Sequence, residues 1–355
     1  MMLIPFRKTV EDLVRRYREA GYFPDACVTV FDRDHTIMTI CAGRADEDSL
    51  FDVASLTKIV TGTQILRLAE QGKLRMQDPV LSYLPELAAN TYLKVRMREI
   101  TIAMLMTHTS TLPAWYPFYS RCGESFAETL AYALAHTEKT SGVVYSDLNF
   151  MILGKLLETM HQKPLERCLK EELVDPLGLG NMMYCPKGKT NVIPSDYGNA
   201  IEMRMCRERR IEFDGFRPLG VPVVGTVNDG NSHYYFGDVA GHAGVFATSE
   251  SYARLCQYYM TSDSGWILQA QKEQPSSPGR GLGLQTGLTY PYGCGHTGFT
   301  GTSIYFSREK NIGCVAFTNR LFFQDGSTHD MSEFRRALHE IVFALGPLNA
   351  GGAEN

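Results

Sequence analysis

The first part of the chain changes from a helical to a strand-like spacing of apolar residues. Within residues 1–20 the apolar positions repeat on one side of a helix, between charged ones: Val10, Leu13, Val14 and Tyr17. Residues 26–31 and 36–41 are two apolar runs rich in β-branched residues, and the polar segment 32–35 between them has the composition of a hairpin turn. The pattern predicts an amphipathic helix followed by an antiparallel pair of strands.

Residues 58–224 have mostly helical patterning with long loops. Strand-like runs return late in the chain, at residues 244–248, 302–306 and 312–317, and helical runs follow at 251–260 and 333–345. We therefore predict an α+β fold in which strands from both termini form one antiparallel sheet, flanked by N- and C-terminal helices, with an all-helical second domain. The predicted boundaries are residues 1–57 and 225–347 for the sheet domain, 58–224 for the mostly helical domain and 348–355 for a disordered tail.

The composition is ordinary for a globular enzyme, with 44% hydrophobic and 21% charged residues. A net charge of −4 argues against nucleic acid or an anionic membrane as partner, so a small molecule is expected. No apolar stretch reaches the roughly 18 residues of a membrane span, and residues 1–20 lack the pattern of a signal peptide. The nine cysteines form no C-x-x-C pair and no disulfide pattern, which favours free thiols and the cytoplasm. The oligomeric state stays open.

The tetrapeptide Ser55-Leu56-Thr57-Lys58 opens an apolar helical run that ends near Gly72. Residues three apart on a helix share a face, with Cβ atoms about 5–6 Å apart, so the hydroxyl and the amine are neighbours. A helix N-terminus favours developing negative charge, and a buried lysine can lose its proton and accept one from the serine. The pattern S-x-x-K therefore predicts a serine nucleophile, Ser55, with Lys58 as a built-in base.

This spacing alone is weak evidence, because the chain contains a second match, Ser307 to Lys310. That match lies in a charged segment between two predicted strands, where it indicates a hairpin turn with solvated, unpaired side chains. At Ser55 the alternative is an ordinary helix start with serine as the N-cap. A nucleophile also needs a second proton handler and donors for the oxyanion, so these partners decide between the two interpretations.

Two further segments supply candidate partners. Tyr145 lies on a loop before a helix that Ser146 or Asp147 caps, where a phenol beside two cations can act as a base. Tyr197 has similar neighbours but no helix behind it. Residues 295–301, Gly-His-Thr-Gly-Phe-Thr-Gly, come just before a predicted strand, and their glycines let a ligand approach the backbone closely. The alternative for this segment is a glycine-rich turn.

In chain order, Ser55-Leu56-Thr57-Lys58, Tyr145-Ser146-Asp147 and His296-Thr297-Gly298 resemble the motifs of the penicillin-recognising serine hydrolases. The similarity is closest to class C β-lactamases, D-alanyl-D-alanine carboxypeptidases and related esterases, and it covers most of the chain. Supporting segments are residues 105–110, 175–178, 239–246 and 281–283. The resemblance implies a β-lactamase/transpeptidase-like fold with its cleft between the sheet domain and the helical domain.

The resemblance also implies a role for each matching residue. Ser55 would be the acylated nucleophile, Lys58 its proton partner, and Tyr145 the general base and acid. The N–H groups of Ser55 and Phe299 would form the oxyanion hole. The remaining matches would bind the substrate: Asp147, His296, Thr297 and Gly298. Neither a metal nor an organic cofactor is implied.

Three positions depart from the family's usual residues. Asp147 replaces an asparagine, so it can pair with Lys58 but cannot donate an amide hydrogen bond to a substrate. His296 replaces a lysine, and an imidazole carries the charge that would hold a substrate carboxylate only below about pH 6.5. Thr111 stands where relatives often have glycine, so its loop differs.

We therefore expect a serine hydrolase that forms a Ser55 acyl-enzyme with small esters or amides, including D-amino-acid peptides. The departures at Asp147 and His296 predict weak or no β-lactamase activity. Two alternatives stay open. One is an acyltransferase, in which an amine or alcohol takes the acyl group from the same intermediate. The other is a non-catalytic, penicillin-binding-like protein, which the complete set of Ser55, Lys58 and Tyr145 argues against.

Overall fold

The computed structural model describes residues 3–344. Its strands are β1 (Ala26–Phe31), β2 (Thr36–Ala42), β3 (Phe51–Asp52), β4 (Met182–Tyr184), β5 (Val245–Ala247), β6 (Cys294–Thr297), β7 (Ser303–Ser307) and β8 (Ile312–Thr318). Its α-helices are α1 (Leu3–Glu19), α2 (Thr57–Glu70), α3 (Pro85–Ala89), α4 (Thr91–Arg96), α5 (Ile102–Met106), α6 (Phe126–Ala135), α7 (Asp147–His161), α8 (Leu165–Leu169), α9 (Asp175–Leu177), α10 (Ala200–Glu208), α11 (Ser249–Thr261), α12 (Gly265–Ala270) and α13 (Ser332–Ala344). The predicted tail at 348–355 lies outside the described residues.

The main sheet has the strand order β2-β1-β8-β7-β6, and all neighbouring strands are antiparallel. Side chains alternate between its faces, so Val28 and Val30 of β1 pack toward α1 and α13, while Cys27 and Phe31 join the larger core on the other face. Helix α11 packs against β1 and β8. The predicted α+β fold, with one antiparallel sheet flanked by N- and C-terminal helices, is confirmed.

One predicted strand belongs to a different sheet. Residues 244–248 were expected in the main sheet, but β5 pairs with β3 and β4 in a separate three-stranded sheet. This expectation is wrong because an apolar run of this length indicates a strand without indicating its partner. The small sheet leads into the candidate site, because β3 ends at Asp52, shortly before the candidate nucleophile Ser55.

The glycine-rich segment 295–301 begins as a strand and ends as a turn before β7. Residues Cys294–Thr297 form β6 at the edge of the main sheet, paired with β7. A Cβ at Gly295 would collide with the Tyr290 ring and the Ile304 carbonyl, so only glycine allows this close packing. On the outer side of this edge strand, the backbone N–H and carbonyl of Gly295 pair with Gln285 in an isolated antiparallel bridge.

The region between β3 and β5 is mostly helical and contributes much of the larger hydrophobic core. Helix α2 packs against α7, which places the segment after Ser55 beside the segment after Tyr145. The division into domains at residues 58 and 225 stays a prediction. Within residues 3–344, no helix combines the length and apolarity needed to cross a membrane.

Two of the nine cysteines are paired. Cys27 and Cys41 face each other across the β1–β2 hairpin, with Cα atoms 4.2 Å apart, and form a disulfide. The expectation that the cysteines are free thiols is therefore wrong for this pair. Their separation of 14 residues has no disulfide signature, because it is the hairpin register that brings them together. The cysteine argument for the cytoplasm is correspondingly weakened.

Candidate active site

The candidate nucleophile lies next to a strained turn. Ser55 belongs to the 3₁₀ turn Ala54–Leu56, which leads directly into α2. Ala54 has a φ of 48°, in the left-handed region that residues with a Cβ rarely adopt. The Asp52 carboxylate accepts a 2.9 Å hydrogen bond from the Ala54 N–H and holds the turn. Ser55 thus stands at the predicted helix start, half-buried and with its backbone fixed.

Lys58 is buried beneath Ser55, with 1% of its side chain exposed. Its Nζ donates hydrogen bonds to Ser55 Oγ at 2.9 Å and to the His242 carbonyl oxygen at 3.0 Å. It also forms an ion pair with Asp147 Oδ1 at 2.8 Å. These three contacts match the three protons of an ammonium group. The structure therefore confirms the expected pairing of Lys58 with Asp147.

The charge of Lys58 differs from the expectation. Burial by itself lowers the pKa of Lys58, but the charges of Asp147 and Tyr145 raise it, and the net pKa lies above the usual range. Lys58 is therefore an ammonium at neutral pH, and the prediction of a lysine that loses its proton is wrong. An ammonium that donates to Ser55 Oγ has no lone pair with which to accept the Ser55 hydroxyl proton.

Tyr145 is held close to Lys58 by the loop before α7. The N–H of Val144 donates to the His108 carbonyl at 2.9 Å, and the N–H of Ser146 donates to His108 Nδ1 at 3.0 Å, so the backbone on both sides of Tyr145 is fixed. The Tyr145 ring centroid is 5.0 Å from Lys58 Nζ and 5.3 Å from Arg280 Cζ. Two cations thus flank the phenol, as the sequence-based hypothesis required.

Ser146 occupies the N-cap position of α7, but its hydroxyl does not cap the helix. It donates instead to the Pro113 carbonyl at 2.7 Å. The Asp147 N–H likewise donates to the Ala114 carbonyl at 2.9 Å, so the start of α7 is tied to the loop that follows α5. These bonds set the direction in which Tyr145 and Asp147 project.

His296 lies on β6 with its ring 5.9 Å from the Tyr145 ring, centroid to centroid. Its Nδ1 donates to the Thr297 carbonyl at 2.8 Å. Burial, together with the charges of Arg280 and Lys58, lowers the pKa of His296 to about 3. The prediction that this imidazole becomes charged below about pH 6.5 is therefore wrong. The sequence places His296 in its motif but does not show how deeply the ring is buried.

A pH prediction follows from the neutral His296. Over about pH 5 to 8, kcat/KM for a carboxylate-bearing ester divided by kcat/KM for a matched neutral ester is expected to stay constant. The folded-state pKa of about 3 keeps the imidazole uncharged throughout this window, so protonation adds no attraction for the carboxylate. Groups that affect both substrates equally cancel in the ratio. A rise of the ratio as the pH falls through about 6.5 would show that His296 titrates near its ordinary value.

A cavity of about 360 Å³ brings together residues that are far apart in the sequence. Its lining includes these predicted site residues: Ser55, Tyr145, His296, Thr297, Gly298 and Phe299. Lys58 and Asp147 are not among the lining residues, but Lys58 contacts both Ser55 and Asp147. Gly298 has no room for a side chain, because a Cβ would collide with Thr302 Oγ1 and the Val53 carbonyl.

Three arginines that lie outside the predicted motifs also line this cavity: Arg280, Arg320 and Arg335. Burial lowers the pKa of all three guanidinium groups, yet they remain cations at neutral pH. Arg335 Nε is buried without a hydrogen-bond partner in residues 3–344. Asp330 is the carboxylate among the described lining residues, so positive charge exceeds negative charge in the lining.

The two rival motifs lie elsewhere. Ser307 is buried in β7, where its hydroxyl donates to the Tyr292 carbonyl, while Lys310 Nζ lies over the Tyr292 ring, 5.1 Å from its centroid. The expectation of a turn at this second match holds for Lys310, but Ser307 itself is hydrogen-bonded and not solvated. The expectation that no helix follows Tyr197 is wrong, because α10 begins at Ala200. The Tyr197 ring nevertheless stacks on Phe322, with ring centroids 4.3 Å apart. None of these residues lines the cavity of Ser55.

Comparison with known proteins gives a match over most of the chain. Residues 10–337 match the family model described as Beta-lactamase. A Salmonella typhi protein provisionally named D-alanyl-D-alanine carboxypeptidase is 27% identical over 308 residues, which cover 78% of this chain and 71% of that protein.

Solved structures share the fold. EstCE1, described as a hydrolase with promiscuous acyltransferase activity, aligns with a TM-score of 0.70 and 18% identity over 95% of this chain and 99% of its own. The class C beta lactamase from Rhodobacter sphaeroides aligns with a TM-score of 0.69 and 15% identity over 94% and 98% of the two chains. At these identities the structural similarity shows the fold alone. The family model that matches residues 10–337 places the chain in the beta-lactamase family, and the protein is a serine hydrolase.

Proposed function

We propose that the protein hydrolyses small esters or amides through an acyl-enzyme on Ser55. The bonding of Lys58 is the observation that carries this proposal. A buried ammonium, fixed by Asp147 and by the His242 carbonyl, donates its third hydrogen bond to a hydroxyl that borders the cavity. A buried cation in such a position adds little to stability, whereas it orients and polarises a nucleophile.

In the acylation step, Tyr145 acts as the base. As Ser55 Oγ attacks the substrate carbonyl carbon, its proton moves to the Tyr145 phenolate, whose negative charge Lys58 and Arg280 stabilise. The developing oxyanion accepts hydrogen bonds from the N–H groups of Ser55 and Phe299. Support for these donors comes from the fact that neither N–H bonds to another group within residues 3–344. Tyr145 then returns the proton to the leaving alcohol or amine as the carbon–heteroatom bond breaks.

Deacylation repeats the sequence with water as the nucleophile. Tyr145 takes a proton from the water as its oxygen attacks the ester carbon of acylated Ser55. The bond between that carbon and Ser55 Oγ breaks, and Tyr145 returns the proton to Oγ. Free carboxylic acid is released and the enzyme is restored. Lys58 keeps its protons throughout, which agrees with its raised pKa.

We propose that the preferred substrates carry a carboxylate group. Positive charge in the cavity comes from the three arginines among its lining residues, Arg280, Arg320 and Arg335. A guanidinium binds carboxylate through paired, charge-assisted hydrogen bonds. Neutral His296 leaves this task to the arginines. Small D-amino-acid peptides fit this description, whereas Asp147 lacks the amide donor that would favour β-lactams.

Arg335→Gln is expected to lower kcat/KM for a carboxylate-bearing ester roughly 10- to 100-fold, because one charge-assisted hydrogen bond is lost. For a matched neutral ester, kcat/KM should stay within about threefold, because the reacting groups are unchanged. The neighbouring Arg336→Gln is the control, since exposed Arg336 is not a lining residue of this cavity. Equal losses for both esters, or an equal loss in the control, would contradict carboxylate recognition by Arg335. Mass analysis of products formed with an added amine or alcohol separates hydrolysis from acyl transfer.

A further inference from the structure

A buried chain of hydrogen bonds continues from Lys58 away from the substrate cavity. The His242 carbonyl accepts the Lys58 hydrogen bond at 3.0 Å, and the His242 ring is fully buried. Ring atom Nε2 lies 2.9 Å from Asp229 Oδ1. Burial raises the pKa of Asp229, but His242, the Ser232 N–H and the charge of Lys58 together lower it more, so the net pKa is lowered and Asp229 is a carboxylate. His242 Nε2 is therefore the hydrogen-bond donor to Asp229.

Asp229 is itself fixed just before the π-helical turn Asn231–Tyr235. Its Oδ1 accepts a 2.8 Å hydrogen bond from the Ser232 N–H. The preceding residue, Asn228, donates its N–H to Asp52 Oδ2 at 2.7 Å. The same Asp52 carboxylate holds the strained Ala54 turn before Ser55. Two adjacent residues, Asn228 and Asp229, thus connect the turn that carries the nucleophile with the peptide that holds Lys58.

The peptide around His242 has little freedom to move. The Gly241 carbonyl accepts a 2.8 Å hydrogen bond from Thr61 Oγ1 on α2. A Cβ at Gly241 would collide with the Phe150 carbonyl and with Gly154 on α7, so this peptide lies directly against α7. The bond between the His242 ring and Asp229 fixes the orientation of the ring. It thereby also restrains the His242 carbonyl, which accepts the hydrogen bond from Lys58.

Stability alone is a poor explanation for this pair. A buried histidine and carboxylate cost desolvation energy that apolar residues of similar volume would avoid. His242 Nδ1, moreover, has no hydrogen-bond partner in residues 3–344. The backbone carbonyl of His242 nevertheless accepts a hydrogen bond from Lys58, and Lys58 in turn donates to Ser55.

We propose that Asp229 and His242 are positioning residues that fix the ammonium of Lys58 for the reaction. They hold the His242 carbonyl in a position that lets Lys58 Nζ contact this carbonyl, Asp147 and Ser55 Oγ at the same time. Neither residue touches the substrate in this arrangement. The inference rests on the proposed function of Ser55 and Lys58.

The test compares His242→Ala with His242→Gln. Gln can place an amide N–H near the position of His242 Nε2 and keep the bond to Asp229, whereas alanine cannot. His242→Ala is expected to lower kcat for ester hydrolysis roughly 10- to 100-fold with KM changed less than about threefold, because small misplacements of reacting groups are costly. His242→Gln should recover most of that loss. If His242→Ala does not fold, Asp229→Asn takes its place, and we expect it to lower kcat in the same way.

The control is His233→Ala, which removes another histidine–carboxylate pair of the same region. His233 Nδ1 lies 2.6 Å from Asp238 Oδ1, and neither residue contacts Lys58. All rates are expressed per active site, counted by labelling with a serine-directed phosphonate. Loss of kcat in His242→Ala with recovery in His242→Gln and none in His233→Ala supports the proposal. Unchanged kcat in His242→Ala, or equal losses in His242→Ala, His242→Gln and His233→Ala, overturns it. Lack of labelling in the unmodified protein would refute the proposed function instead.

Discussion

Ser55→Ala is expected to abolish ester hydrolysis, with kcat reduced by roughly 10⁴- to 10⁶-fold. The variant lacks the oxygen that forms the acyl-enzyme, so only the weak help of binding and oxyanion stabilisation remains. Steady-state hydrolysis of an activated ester measures the effect. Stability should change little, because the half-buried hydroxyl contributes one hydrogen bond, worth about 1 kcal/mol.

The second S-x-x-K match provides the control for this experiment. Ser307→Ala removes a serine at the same spacing from a lysine, but that serine is buried in β7 and lies outside the cavity. Its activity per folded molecule should equal that of the unmodified protein. Hydrolysis that survives in Ser55→Ala at more than a few per cent would assign the nucleophile to another group.

Tyr145→Phe is expected to lower kcat by roughly 10²- to 10⁴-fold, the usual contribution of a general base, with KM changed less than about threefold. The phenylalanine keeps the ring that packs beside His108, so the fold and the shape of the cavity are preserved. Only the oxygen that accepts the Ser55 proton is lost. Lys58 cannot replace it, because its ammonium has no free acceptor and its pKa is raised.

Tyr197→Phe is the matched control for the base. Tyr197 lies in a similar tripeptide, but it stacks on Phe322 and does not line the cavity. Full activity is expected in that variant. Unchanged kcat in Tyr145→Phe would transfer the role of base to another residue and contradict the proposed acylation step.

Local patterns in the sequence predicted many of the helices and strands, because neighbouring residues largely determine where these elements form. The alternation in residues 26–31 and 36–41 located the β1–β2 hairpin, and the apolar repeat after residue 55 located α2. The partner of β5 and the pairing of Cys27 with Cys41 were missed. Both depend on strand register and on contacts between distant segments, which local spacing does not encode.

The candidate site was predicted in its residues more completely than in its charges. The order of the motifs indicated Ser55, Lys58 and Tyr145 as candidates, and the structure brings these three residues together. The protonation of Lys58 and His296 depends on burial and on neighbours far away in the chain, and both were predicted wrongly. Arg280 and Arg335 lie in a polar segment and on an amphipathic helix, where many arginines face solvent. Only the folded chain shows that these two turn into the cavity.

The central claim is that Ser55 carries the acyl group, and intact-mass spectrometry tests it most directly. The protein is incubated with a serine-directed phosphonate and, separately, with a penicillin, and the labelled peptide is then identified. The proposed mechanism predicts one phosphonate adduct per chain on the peptide that contains Ser55, and none in Ser55→Ala. A label on any other residue, or no label with either reagent, would contradict it.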